Sequence, residues 1–310
     1  MYVLINLLRN RNFVLVFAVV VGLVLGDFAA NIKAYTTYVL AIVMTFSMTN
    51  IRTSSLFPLK ALVKPMLVGM LLNYVIYAIV MIGLAYLLIE DKDLFYGFVV
   101  IATTPPGVAI IPFSYILKGD VEYSIKGVLG AFICTVFLTP FAVGWITGND
   151  GIASWDLFML MVKTIVVPLI ISRFLLLSKP FKLIDKIRGK VVDWGFALLI
   201  FIAVGLNRQV FFSEPLILLQ IGLVLLLTHF VLGLVYEKIA SLFKRNTVKV
   251  MSENLLLTIK SSGFAVVTAI TLFGQKAAIP TAGLAIFVLL YLLFLSFRLE
   301  LRSKKATRSE

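Results

Sequence analysis

The chain is poor in the residues from which most soluble sites are built. Among its 310 residues there is one cysteine, Cys134, and one histidine, His229. A single thiol excludes an intrachain disulfide, and Cys134 lies in an apolar run where it reads as a packing residue. A single histidine excludes a multi-histidine metal site, and His229 reads as a helix-packing contact. Catalytic signatures are missing too: there is no G-x-S-x-G, no H-E-x-x-H and no pair of midspan carboxylates, which argues against an intramembrane enzyme. The longest polar connection, near 178–190, is too short for the output domain of a membrane sensor. Only 14% of residues are charged, and no soluble domain of this size is so poor in charge.

What fills the chain instead is apolar surface, 61% of residues, in runs near 20 residues long. Such runs are membrane-spanning helices. Ten are expected, at about 12–30, 35–51, 61–88, 94–117, 121–147, 154–177, 191–208, 214–236, 249–275 and 277–298. Turn and charge signals separate them. The first follows basic residues without a small-residue cleavage site, so it reads as a retained helix and not a signal peptide. The net charge of +13 lies in the connections between spans, where it sets topology and does not bind nucleic acid. With the N-terminus inside, only Lys33, Lys92, Arg208 and Lys276 fall in outer loops, and Lys163 and Lys260 fall within spans. Every other one of the 28 Lys and Arg then lies inside. The positive-inside rule therefore places both termini in the cytoplasm of a multi-pass plasma (inner) membrane protein.

The fourth span contains PPGVAIIPF (105–113) and the ninth SSGFAVVTA (261–269). Aligning Gly107 with Gly263 puts Ala109 on Ala265 and sets Ile110 and Ile111 against Val266 and Val267. The two stretches lie half a chain apart, with five spans in each half. An odd number per half inverts the second relative to the first, so the expected units are 1–148 and 149–310, the inverted-repeat plan of secondary transporters. Both stretches are poor helix. Pro105, Pro106 and Pro112 remove backbone donors, and Ser261, Ser262 and Gly263 have weak propensity. Broken backbone at membrane depth survives only where protein or a watery cavity satisfies it. Each break exposes carbonyls that favour a cation and N–H groups that favour an anion. A binding crossover built from 104–112 and 258–263, with Thr258 and Val108 included, is the expectation.

At these stretches the chain resembles the bile acid:sodium symporter family, within the larger group that includes arsenite carriers. The resemblance implies an all-α fold of ten transmembrane helices in two inverted five-helix repeats, with helices four and nine broken and crossing. Spans three to five and eight to ten would form a core; spans one, two, six and seven would form a panel that moves against it. The family's fourth helix reads Pro-Gly-Gly-x-x-Ser-Asn and later Leu-x-x-Gly-Asp. Pro105, Pro106 and Gly107 open that match, and Ile116, Gly119 and Asp120 close it. The sodium-binding Ser-Asn pair is Ile110 and Ile111. The family's Glu-x-x-x-Gln-Asn-Ser-Gly falls on Leu256 to Gly263, with Glu replaced by Leu256, Gln by Lys260 and Asn by Ser261. In LLNYVIYA, Asn73 takes the place of another sodium-ligating Gln. Two Ile and a Leu supply no side-chain oxygen, and an ammonium is itself a cation. The sodium sites as the family builds them cannot form, although backbone carbonyls and Asn73 remain able to hold one ion.

Lys260 is the residue hardest to explain as idle, at roughly 2.5–3.5 kcal/mol for a charge at a helix centre. It lies about 16 Å into its span at 1.5 Å per residue, too deep to snorkel out. Its ammonium is expected in the emptied cation site, against the carbonyl end of the first half-helix. There it either stays charged as a fixed cation or releases its proton during the cycle. Lys163 either meets a substrate carboxylate or snorkels to the outer surface. Asn73 is either helix–helix glue or a site ligand. Ser252 reads as an N-cap with Glu253 in the first turn of its helix, Asp93 as a first-turn acid, and Asp27 and Asp193 as interfacial. The expected protein is a secondary carrier of a small or amphipathic organic anion, with no cofactor, sodium-independent and open to proton coupling. Its partners would be that anion and the lipid bilayer, with the oligomeric state left open and a monomer compatible. An auxin-efflux-type carrier shares the five-plus-five plan, but Gly119-Asp120 leans away from it.

Overall fold

The computed structural model describes residues 11–51, 60–148, 154–178 and 181–308. The segment before residue 11, the connection at 52–59 and the junction between the halves at 149 lie outside the described residues. All regular elements described are helical. Twelve helices matter here: α1 (Arg11–Leu25), α2 (Thr36–Met48), α3 (Lys60–Leu88), α4 (Lys92–Thr103), α5 (Ile110–Ile116), α6 (Val121–Thr147), α7 (Trp155–Leu177), α8 (Phe181–Leu206), α9 (Pro215–Leu242), α10 (Thr247–Thr258), α11 (Ser262–Phe273) and α12 (Ala278–Arg308).

Many of these segments are rich in Val and Ile, which are only fair helix formers in water. In hydrocarbon the backbone must satisfy itself, and the helix does so within one segment. The pattern of α1 shows the consequence: Val16, Val20 and Val24 are exposed at helical spacing, while Val14 and Ala18 are buried. One stripe meets lipid and the other meets protein.

Among the described residues, seven helical stretches are long and apolar enough to cross a membrane. The protein is an integral, multi-pass membrane protein. The difference from the ten expected spans has two local causes. The stretch Phe13–Met48 runs 36 residues, about 54 Å as a straight helix, which exceeds a hydrocarbon core of about 30 Å. It is interrupted by tight 3₁₀ turns at Gly26–Phe28, near the end of the first expected span, and at Lys33–Tyr35, where the second was expected to begin. The expected spans 94–117 and 249–275 are not single helices. Each is split into two short ones, α4 with α5 and α10 with α11.

Packing sorts the helices. α8 lies against α1 and α2, and α7 against α2. α4 packs on α3, α6, α11 and α12, while α10 packs on α9, α3 and α6. The two breaks therefore sit inside a wrap of α3, α6, α9 and α12.

Candidate functional site

The first break follows from two consecutive prolines. Pro105 forces Thr104 out of the helical region, to φ −69°, ψ 154°, because the residue before proline avoids that region. In a continuous helix the carbonyls of Ile101 and Ala102 would accept from the N–H groups of residues 105 and 106. Both are prolines and have none. Every carbonyl at this end finds another donor. Ile101 accepts from the Thr104 amide at 3.4 Å and hydroxyl at 2.9 Å. Thr103 accepts from the Thr139 hydroxyl at 2.6 Å. Ala102 and Thr104 accept from Lys260 Nζ at 2.8 and 3.0 Å.

The second break crosses the first antiparallel, with a bridge between Pro106 and Lys260. Gly107 N donates to Ile259 O at 3.0 Å, and Ser261 N donates to Pro105 O at 3.0 Å. Each break thus satisfies backbone groups the other leaves open. Gly107 permits the approach: a Cβ there would stand 3.1 Å from Lys260 O.

Lys260 is 1% exposed. Besides the two carbonyls of the α4 end, its ammonium donates to Asn73 Oδ1 at 2.7 Å and to Asn73 O at 3.1 Å. That carbonyl is free because α3 widens to a π-turn at Leu71–Ile76, where Tyr77 N–H bonds Leu72 O and skips Asn73. The Asn73 amide nitrogen donates to Leu256 O at 3.1 Å, a carbonyl near the interrupted end of α10. Asn73 therefore links the cation to both breaks. Nζ also lies over the rings of Tyr74 and Tyr77, at 4.9 and 4.8 Å from their centroids, where the negative ring face attracts a cation. The Tyr74 hydroxyl bonds Ala131 O and the Thr135 hydroxyl on α6, which fixes the ring. His229 is a packing contact: Nδ1 bonds Leu225 O at 2.8 Å, and the ring meets Tyr77 edge-on.

The environment is chemically consistent. Four neutral oxygens, two of them at the negative end of the α4 dipole, surround one positive charge. On the other side of the crossing, α11 begins without a side-chain cap, so the N–H groups of its first turn offer a weakly positive surface; the α5 amides of Ile110 and Ile111 are already bonded to Gly107 O and Val108 O. A cavity of about 30 Å³ lies there, lined by Val108, Lys260, Ser261, Ser262 and Phe196 among others. A second cavity of about 580 Å³ shares Val108, Ala109 and Phe196 with it and extends to Ser47, Asn50 and Lys186.

Asn73, Lys260, Pro105, Pro106, Gly107 and Ser261 thus meet at one point, and Val108 and Ser262 line the adjoining cavity. Gly263 faces the Phe196 ring. The Thr258 hydroxyl turns back to Asn254 O at 2.8 Å. Lys163 is exposed on the π-turn Val162–Val166 of α7, outside the cluster around Lys260. The expectation for Ser252 and Glu253 is corrected. Asn246 caps α10, accepting from the amides of Val248 and Lys249, so the cap lies six residues before the one expected. Ser252 instead donates to Asp120 O, and Glu253, 1% exposed, accepts from Tyr123, Tyr236 and Arg245. Asp93 does occupy the first turn of α4, behind the Asp91 cap. Tyr74, Tyr77 and the two α4 carbonyls escaped the sequence reading. The Ala102 carbonyl was accessible through the four-residue offset from Pro106, the Thr104 carbonyl through its place just before the proline pair, and the tyrosines through their place beside Asn73.

The model of the Sodium Bile acid symporter family matches residues 37–213, more than half of the chain. The chain belongs to this family. The match includes Asn73 and the α4–α5 break, and Lys260 lies beyond it. The fold and the family together make the protein a membrane transporter. A search of curated proteins returned no match.

Proposed function

We propose that the protein is a sodium-independent secondary carrier of an organic anion, in which the Lys260 ammonium occupies the place of a coupling cation. The observation that carries this reading is the set of four oxygens around Nζ, at 2.7 to 3.1 Å. Oxygens are what a sodium ion would need, and here a tethered cation takes them. The uncapped start of α11 and the cavities beside it supply the anion's side. Ten spans in two inverted repeats, both termini cytoplasmic, fit the antiparallel crossing of two breaks half a chain apart and the packing of α1, α2, α7 and α8 as one group. Access would alternate as that group rocks against the rest.

A second reading, proton coupling, is favoured by one feature. All four acceptors are neutral, so release of the proton strands no carboxylate, and the charge of the site changes by a whole unit. Uptake into proteoliposomes under imposed gradients tests both. Transport of candidate carboxylates and sulfonates is expected to be unchanged when sodium replaces potassium, and accelerated by a pH gradient if the second reading holds. Transport driven by sodium and indifferent to pH would overturn the proposal.

A further inference from the structure

A cavity of about 330 Å³ opens at the other end of α10, between the last turns of α9, the first turn of α10 and α12. It does not touch the crossover. Three cations line it, Lys238, Arg245 and Arg298, with one carboxylate, Glu237. Its apolar side is Leu234, Val250 and Met251. The guanidiniums are held from behind. Arg298 pairs with Glu237, which also accepts from Asn254 Nδ2 at 2.6 Å. Arg245 pairs with Glu253 at 2.8 Å, and Tyr123 and Tyr236 donate to the same carboxylate. The turn that presents Arg245 passes through Lys244 in the left-handed region, φ 50°, where glycine is usual. It is closed by Arg245 N bonding Ala240 O at 3.1 Å. Each guanidinium carries five donors, so both retain N–H groups beyond those committed to glutamate.

We infer that this cavity binds a phosphate-bearing anion. With Glu253 counted beside Glu237, a positive excess of one remains on Lys238, and the two preorganised forks match the planar recognition of phosphate. Leu242 and Phe243, in the chain between the lining residues Ser241 and Arg245, are 73% and 76% exposed, an apolar surface suited to acyl chains. The favoured source is therefore a phospholipid headgroup, which would tie α9, α10 and α12 together at one membrane face.

The test uses the full chain in phosphatidylcholine nanodiscs, with and without phosphatidylglycerol, and separately with inorganic phosphate at millimolar concentration. The readouts are melting temperature and lipid retention in native mass spectra. Phosphatidylglycerol is expected to raise the melting temperature and to be retained. Lys238→Glu, on an exposed residue, should weaken retention at least tenfold, at roughly fivefold per charge. The same reversal at Lys182, exposed on α8, should leave it unchanged. An equal effect from inorganic phosphate, lost in Lys238→Glu, supports the site with a soluble source. No shift with either probe, or a shift that Lys238→Glu and Lys182→Glu alter alike, would overturn the inference.

Discussion

The two breaks perform opposite halves of one task. The α4–α5 break is made by prolines and leaves carbonyls without donors; it contributes no polar side chain to the crossing. The α10–α11 break is made by Lys260 and Ser261 and brings donors: a backbone N–H to Pro105 O and an ammonium to the α4 carbonyls. A pair of proline breaks would leave acceptors facing acceptors, and an ion would have to fill the gap. Placing a lysine in one arm turns an ion site into a self-satisfied joint. The difference between the arms, more than either break alone, is what makes the joint self-satisfied, and the proposed independence of sodium rests on it.

The largest test of that comparison removes the donor. Lys260→Ala should abolish uptake and lower stability by about 3 kcal/mol, because several buried acceptors lose their partner at once. Melting in detergent measures it. Sodium chloride, unlike choline chloride, should then restore part of the loss in the variant and do nothing for the wild type. A wild type that sodium stabilises equally would break the comparison. Asn73→Leu comes next, at about 2 kcal/mol, since it strips one acceptor from Lys260 and one donor from Leu256 O. Stability should fall less than in Lys260→Ala, and the ordering is the check.

Glycine substitutions sharpen the contrast between the arms. At Gly107 an added Cβ meets the Lys260 carbonyl at 3.1 Å, and backbone at the joint has little room to yield. Gly107→Ala should cost roughly 1–2 kcal/mol as an overpacking change. At Gly263 the obstacle is the Phe196 ring, a side chain that can swing aside. Gly263→Ala should cost less in stability and show instead in uptake, because Phe196 lines both cavities. The smallest effect lies outside the crossing, where Lys276 bonds Asp91 at 2.6 Å. Burial works against the Asp91 carboxylate, but hydrogen bonds from Lys276 and the Leu94 and Asp93 amides outweigh it and hold the carboxyl below its ordinary value. The bond to Asp91 in turn raises Lys276. The Asp91 contribution is present above about pH 3.9 and lost as pH falls through the lowered folded value. The Lys276 contribution is present below about pH 10.4 and lost as pH rises through the raised one. Between those limits Lys276→Gln should cost under about 1 kcal/mol, the pair being part-exposed and screened. A larger loss in a thermal melt would show a heavier role for this loop contact.

Some of this was legible from the residues. Apolar runs announce spans because lipid satisfies no backbone group, and Pro105-Pro106 announces a break because proline lacks a donor. Lys260 announces a site because an idle charge at that depth is too unfavourable. Less legible was Glu253, read as a first-turn acid beside a serine cap. Asn246 caps as well as serine does, and nothing local says which of the two starts the helix. Tyr236 and Tyr123, which bind that glutamate, come from α9 and from α6, more than a hundred residues away in the latter case. Lys163 and Lys260 look alike as charges within spans. One is exposed on its helix and the other fully enclosed, a difference of facing that depends on which neighbours pack there.

By itself the sequence determined that the protein crosses the membrane many times, where its helices break and which charge belongs to a break. These follow from short-range rules: hydrophobic length, proline geometry and the free energy of a buried ammonium. Only the tertiary structure decided what that ammonium meets. The Asn73 carbonyl is open because a π-turn in α3 shifts one hydrogen bond, and the α4 carbonyls are within reach because the two breaks cross antiparallel. A donor's partners are set by distance and direction across the whole bundle, and no local pattern encodes those.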